Sequence, residues 1–237
     1  MYHSITFGNK NTWDDWFLIP SSRPVFNPPE AKTLFLEVPG ADGVIDLTTA
    51  LTGDVRYGSR TGSLEFIVDN GHKEWFELYS DIADYLHGQK MKAILEDDPS
   101  YYYEGRFTVN EWKSDKLHSL ITIDYVVDPY KLELFSGIEN WLWDSFNFET
   151  GIIREYKNLS VDGTLNFYME GSRKPIVPTF IVSSSNGKGI TVVYNGTSYP
   201  LKDGENRVID IKLGQGTQLL TFKGNGNVSI NYRGGRL

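Results

Sequence analysis

The chain has 237 residues, 40% apolar, 23% charged and 14% aromatic, the balance of a folded protein with room for one large or two ordinary domains. Its net charge of −8 and pI near 5.0 exclude a non-specific grip on nucleic acid, which needs a basic surface to displace counterions. Cysteine is absent, so neither a disulfide nor a thiolate metal site supports the fold.

The opening segment, Met1–Trp16, lacks the basic-then-apolar order of a secretory signal. No stretch approaches the roughly 20 apolar residues that a membrane-spanning helix needs. A soluble product made in a cytoplasm is expected. The charge is uneven: residues 1–137 carry 12 Lys+Arg and 22 Asp+Glu, a balance of −10, whereas residues 138–237 carry 11 and 9, a balance of +2. This asymmetry, and a change of texture near Asp128-Pro129-Tyr130, divide the chain into an N-terminal domain, 1–137, and a C-terminal domain, 138–237.

In chain order, Ser4–Phe7, Phe17–Ile19 and the alternating Leu34–Val38 read as strands. Pro39-Gly40-Ala41-Asp42-Gly43 is a turn of residues with preset or permissive φ, after which Val44–Leu51 extends again. Ser63–Val68 places Leu64, Phe66 and Val68 on one strand face. A single amphipathic helix is predicted over 73–87, with its apolar stripe at Trp75, Phe76, Tyr79, Ile82, Ala83 and Leu86. Asn70 is its start signal, Glu74 and Glu77 favour the positive end of the macrodipole, and Gly88 caps its end. A lone amphipathic helix among strands must lie on a sheet. Strands resume at Met91–Leu95, Tyr101–Trp112 and Leu117–Val127, joined through Asp97-Asp98-Pro99-Ser100 and Lys113-Ser114-Asp115-Lys116.

Beyond an aromatic-rich transition at 131–150, short strands alternate with glycine turns: Leu165–Met169, Val177–Val182, Gly189–Tyr194, Arg207–Leu213, Gln218–Gly224 and Val228–Tyr232. Asn195-Gly196 is a two-residue hairpin signal. Regular spacing of this kind predicts a β-sandwich or jelly roll. The fold class expected is therefore mainly β, with two sandwich-type domains, the first carrying the helix.

The N-terminal half resembles the distal tail proteins of long, flexible-tailed bacteriophages and their prophages. The residues that carry the resemblance are Phe7-Gly8, Asp14-Asp15, Pro28-Pro29, the run Val38–Asp46, Leu86-His87-Gly88-Gln89-Lys90, Asp97-Asp98-Pro99, Tyr101–Arg106 and Asp128-Pro129-Tyr130-Lys131. They cover roughly residues 5–132. The resemblance implies a galectin-like β-sandwich for the C-terminal half. It also implies assembly into a hexameric ring that joins the tail tube protein to the tail-tip hub and to receptor-binding or adsorption proteins, a place in the virion tail tip, and no catalysis. Some members of that family carry a sugar-binding module in a loop; this chain is too short to hold one.

Asp97-Asp98 offers carboxylates, but acid–base work on a glycosidic bond needs a partner about 5–9.5 Å away, and adjacent residues point apart. A turn closed by Pro99 is the better reading. His3, His72, His87 and His118 form no HxH or HExxH pattern, so structural roles are expected and no metal or cofactor. Ser183-Ser184-Ser185 lacks the G-x-S-x-G context of a nucleophile elbow. Gly214-Gln215-Gly216 and Gly224-Asn225-Gly226 have no following helix and read as turns rather than phosphate cradles. Trp141, Trp143, Phe146 and Phe148 are either a sugar-stacking platform or inward-facing core at a domain junction. Arg233-Gly234-Gly235-Arg236 reads as a flexible tail. For ring contacts, the sequence nominates the loop and strand at Asp97, Asp98, Tyr101, Tyr102 and Tyr103. DNA enters only as passing cargo, repelled by an acidic lumen. The alternative function is a carbohydrate-binding module that aids host-surface adhesion.

Overall fold

A computed structural model describes residues 2–68, 75–114, 119–139 and 154–237. Asn70, His72, Lys73, Glu74, the Asp115-Lys116 turn, His118 and the aromatics Trp141, Trp143, Phe146 and Phe148 lie outside the described residues. The protein is mainly β, with sheets that curl as in sandwich-type domains, and among the described residues it has one α-helix. The chain divides into two compact units. One holds Met1–Asp98 with Tyr102–Lys131 and Leu237; the other holds Pro99–Tyr101 with Leu132–Arg236. No described helix is long and apolar enough to cross a membrane.

The strands of the first unit are β1 (Ile5–Phe7), β2 (Lys10–Asn11), β3 (Leu18–Pro20), β4 (Ala31–Lys32), β5 (Phe35–Glu37), β6 (Val44–Asp46), β7 (Arg56–Tyr57), β8 (Arg60–Val68), β9 (Gln89–Leu95), β10 (Tyr101–Ser114) and β11 (Ser119–Val127), with helix α1 (Trp75–Leu86) between β8 and β9. The main sheet runs β2-β1-β9-β10-β11-β8-β3, antiparallel at each step. Its two edges are drawn together by Thr12: the Thr12 N–H donates to the Ile5 carbonyl (2.9 Å) and the Leu18 N–H to the Thr12 carbonyl (2.8 Å). The Thr12 hydroxyl, fully buried, accepts from the Ile5 N–H at 2.9 Å.

Strict alternation puts Leu64, Phe66, Phe107, Ile121, Ile123 and Tyr125 on the inner face of this sheet. The helix packs there through Leu78, Ile82 and Leu86, each burial contributing roughly 1.5–3 kcal/mol. This corrects the expected stripe in one respect. Leu78 is in the core, whereas Phe76, two residues earlier and therefore turned well away around the helix, is 73% exposed. Phe76 instead leans on Trp112, which also stacks on Trp75 and Tyr79. Gly88 ends the helix at φ +74°, the conformation expected of its cap.

The second unit is built from β12 (Lys131–Glu133), β13 (Leu159–Gly171), β14 (Thr179–Ser184), β15 (Ile190–Tyr194), β16 (Thr197–Leu201), β17 (Gly204–Arg207), β18 (Gly216–Asn231) and β19 (Gly235–Arg236). Strand β18 organises it. β13 accompanies β18 over 13 paired positions, while the other edge of β18 pairs first with β15 at Thr221–Lys223 and then with β14 at Gly226–Asn231. Asn195 (φ +48°) and Gly196 (φ +80°) make the predicted tight hairpin between β15 and β16.

Three expectations change here. Gly224-Asn225-Gly226 is no turn; β18 runs through it, with φ +137° and +146° at the two glycines, values closed to other residues. The strand expected at Arg207–Leu213 is instead Gly204–Arg207, and beyond it Leu213 forms an isolated bridge with Ile176. The C-terminal run is anchored: the Glu133 N–H donates to the Gly234 carbonyl (3.0 Å), and Arg233 donates to the carbonyls of Glu133 and Leu134 and to the Glu139 carboxylate. Nearby, buried Arg154 meets both oxygens of Glu133 at 2.7 and 2.8 Å, and the carboxylate outweighs the opposing effect of burial so that the guanidinium is held in its charged form.

A Cβ on Gly226 would lie 2.3 Å from the Ser183 carbonyl oxygen, whereas one on Gly163, also at positive φ, meets nothing within 4 Å. Gly163→Ala is expected to cost about 1 kcal/mol from backbone strain alone, and Gly226→Ala at least about 2 kcal/mol more because β14 and β18 must separate. Urea unfolding midpoints of the two variants check the difference.

Candidate assembly surface

Beyond β3 the chain enters the core of the first unit at Phe26 and then leaves that core. Phe26 is buried against Tyr103 (ring centroids 4.2 Å) and Tyr125 (4.7 Å). The Asn27 N–H donates to the Tyr125 hydroxyl at 2.8 Å, and Asn27 Nδ2 donates to the Thr61 carbonyl at 3.0 Å. Arg60, buried and with no carboxylate partner among the described residues, donates through Nε to the Pro129 carbonyl (2.9 Å) and through Nη1 to the carbonyls of Phe26 (3.3 Å) and Asn27 (3.0 Å). Burial lowers its pKa, with the Tyr103 and Tyr125 hydroxyls acting in opposition. A cation that spends its donors on backbone carbonyls fixes where the chain exits, because no side-chain rotation can release them.

From Pro28-Pro29 onward the segment is an arm. Its neck is the β4–β7 ladder, Ala31 opposite Tyr57 and Lys32 opposite Arg56, extended by the Gly58 N–H donating to the Glu30 carbonyl at 2.8 Å. Its tip is the β5–β6 hairpin, with Leu36 opposite Ile45 and Glu37 opposite Val44. Gly40 (φ +83°) and Gly43 (φ +77°) form the turn the sequence predicts, so valine at either would strain the tip without meeting any neighbour. Local hydrogen bonds finish the shape: the Leu34 N–H donates to Thr48 Oγ1 and the Leu47 N–H to the Leu34 carbonyl. The Thr48 hydroxyl and N–H hold the Asp46 carboxyl below the usual carboxylate range.

The arm is apolar and uncovered. Leu34, Phe35, Leu36, Val38, Val44 and Ile45 are all exposed, Phe35 to 53%, and Leu51 beyond them reaches 92%. Leu36 and Ile45 occupy one face while Phe35 and Val44 occupy the other. A two-stranded hairpin in water is marginal by itself, and clustered apolar exposure on this scale marks an interaction surface. From sequence, Leu34–Val38 reads as a strand like the others. The available signal was Leu34-Phe35-Leu36, three apolar residues in succession, which places greasy side chains on both faces of any strand.

Within the chain, the residues nominated for ring contacts are placed as follows. Asp97 is 11% exposed; it accepts from His3 Nδ1 at 2.8 and 3.0 Å and from Arg23 Nε at 2.9 Å. Burial works to raise its pKa, but His3 and Arg23 together leave it below the usual range. Asp98 pairs with Lys131 at 2.6 Å. In the first unit Tyr102 is buried under Lys92 Nζ, 4.4 Å from its ring centroid, and Tyr103 is buried between Phe26 and Arg60. In the second unit Tyr101 is buried beside Arg236. Among the described residues no three His, Cys, Asp or Glu side chains are grouped to hold a metal ion.

No family model and no curated protein matches this chain. Among solved structures it is similar to the Dit protein of phage SPP1, described as a paradigm of the hub adsorption apparatus in phages that infect Gram-positive bacteria, with a TM-score of 0.61 at 14% identity over 99% of both chains. At that identity the shared property is the fold.

The lowered pKa of Asp97 means its stabilisation is complete above the unfolded carboxylate value of about 3.9 and is lost as pH falls through the lower folded value. Asp97→Asn is expected to lose about 1 kcal/mol at pH 7, since its partners are partly exposed. The loss should be smaller near pH 2, since it fades as pH falls through the folded value. Chemical unfolding at the two pH values tests this.

Proposed function

We propose that the protein is a structural component of a phage tail tip, assembling as a ring of six copies that joins the tail tube protein to the tail-tip hub and to adsorption or receptor-binding proteins. The observation that carries this reading is the apolar arm: it is rigid at its root, short of a second layer of its own, and shaped to lie on another surface. A closed ring supplies that surface in every copy, because each subunit presents one arm and accepts one. The likeness in fold to a hub adsorption protein agrees with it. So does the order of matching residues along 5–132.

The acidic balance of residues 1–137 has a use in such a ring. Carboxylates lining the passage would repel phosphates and let DNA pass without sticking. The Asp97–Tyr103 segment contributes to the ring indirectly in this scheme, by fixing the strands beside the root of the arm. The protein has a scaffolding role and no catalytic one, and the tail tip is its proposed place.

The expected outcome for purified protein, alone or mixed with its tail neighbours, is closed six-fold particles in negative-stain images and a matching mass by light scattering. The double variant Leu36→Asp, Ile45→Asp should remain monomeric while its unfolding midpoint stays within about 0.5 kcal/mol of wild type, because both side chains are exposed. Wild-type protein that never closes into oligomers under either condition, or a double variant that still does, overturns the reading.

A further inference from the structure

Three Asn-Gly pairs lie among the described residues: Asn186-Gly187, Asn195-Gly196 and Asn225-Gly226. An asparagine side-chain amide is an electrophile close to the next backbone nitrogen, and glycine, lacking Cβ, leaves that nitrogen open to it. All three asparagines are exposed, so access of water does not separate them. Their hydrogen bonds do.

Asn186 lies in the turn between β14 and β15. The Lys188 N–H donates to Asn186 Oδ1 at 3.0 Å, which curls the side chain back along the main chain beside the Gly187 nitrogen. Gly187 has φ +68°, and no atom lies within 4 Å of where its Cβ would be. The base of the turn is pinned. The Gly189 N–H donates to Ser184 Oγ at 3.0 Å, and Ser184 donates to the Asp203 carboxylate through N (2.7 Å) and Oγ (2.9 Å). Asn195, in the two-residue loop beyond the Tyr194–Thr197 pair, has no donor to its side-chain carbonyl among the described residues. Asn225 Oδ1 accepts from the Gly163 N–H at 2.9 Å, and Gly226 is paired on both sides, with Val161 and with Ser184.

We infer that Asn186 is a site of self-modification, where the side-chain amide is converted to aspartate and isoaspartate through a cyclic imide formed with Gly187. The Gly187 nitrogen gives its proton to a solvent base and bonds to Asn186 Cγ. The carbonyl electron pair moves onto Oδ1, where the Lys188 N–H already stands as donor. The intermediate collapses, the Cγ–Nδ2 bond breaks, and the nitrogen takes a proton from water and leaves as ammonia. Water then opens the imide, at Cγ to give aspartate or at the main-chain carbonyl to give isoaspartate. Nothing is oxidised or reduced. The pinned turn keeps nucleophile and electrophile together throughout. Each event places a carboxylate beside Lys188 and moves the balance of residues 138–237 from +2 toward neutrality. Isoaspartate also lengthens the main chain by one methylene between two anchored strands. At Asn225 the cross-strand bond holds the carbonyl toward β13 and the ladders hold the glycine backbone, so that pair is protected. The site stands apart from the proposed ring and needs no partner.

The test is prolonged incubation of the full chain at neutral pH in water enriched in heavy oxygen, followed by peptide mass spectrometry that separates aspartate from isoaspartate. The same chain in guanidinium chloride supplies the unfolded rates, at which the three pairs should convert comparably. In the folded protein Asn186 is expected to convert at no less than its unfolded rate, giving both products with heavy oxygen. Asn195 should lag behind it, and Asn225 should fall at least tenfold below its own unfolded rate. Gly187→Ala should slow conversion of Asn186 at least tenfold and leave Asn195 unchanged. The inference is overturned if folding slows Asn186 as much as Asn225, if Asn195 converts faster, if aspartate forms without isoaspartate, or if Gly187→Ala converts at the wild-type rate.

Discussion

A β-hairpin has two faces and no interior, so its apolar side chains are covered by another surface or left in water. That constraint governs the arm formed by residues 30–58. Leu36 and Ile45 on one side, Phe35 and Val44 on the other, have no second layer over them among the described residues. The rest of the first unit is arranged to hold this exposed element in place rather than to bury it. Arg60 spends three of its donors on carbonyls at the root, two of them at Phe26 and Asn27, and Tyr125 supplies the hydroxyl that receives the Asn27 N–H. A floppy arm would lose its conformational freedom on every docking event; a clamped root has lost most of it at folding.

Behind the arm the first unit has a buried core of its own. A curled sheet closes on one helix through Leu78, Ile82 and Leu86, and Thr12 draws its edges together. The connection between β9 and β10 is held by three side-chain pairings, Asp97 with Arg23, Asp97 with His3, and Asp98 with Lys131. The tyrosines that follow are buried inside their own units, so their bulk sets the position of strands and does not reach a surface. The second unit is equally complete, organised by one 16-residue strand whose glycines let it pass from one neighbour to the next. Buried Arg154, paired with Glu133, anchors its first described residues.

Much of this was legible from residue order. The helix, its Gly88 cap, the Asn195-Gly196 hairpin and the long strands from Tyr101 and toward Val127 follow from local rules, because periodicity and φ preference act over a few residues. The misreadings share another cause. Gly224-Asn225-Gly226 has the composition of a turn, yet neighbouring β13 and β14 hold it extended. Arg233-Gly234-Gly235-Arg236 looks like a tail, yet carbonyls about 100 residues away in sequence take its donors. Phe76 scores as core by hydrophobicity, yet it lies on the helix side that Leu78 does not.

Sequence by itself determined the class of fold, the helix after Val68, the turns with positive φ and the acidic character of the first 137 residues. Each of these is a property of short segments or of composition. Only the tertiary structure decided which apolar residues are inside. Leu34, Phe35 and Leu36 are as hydrophobic as Leu64 and Phe66, and no local rule separates them. Burial depends on whether a second layer lies opposite, and that is settled by strands far away in the chain. The same holds for Tyr168, whose outward direction is fixed by its pairing with Leu219, 51 positions further along the chain.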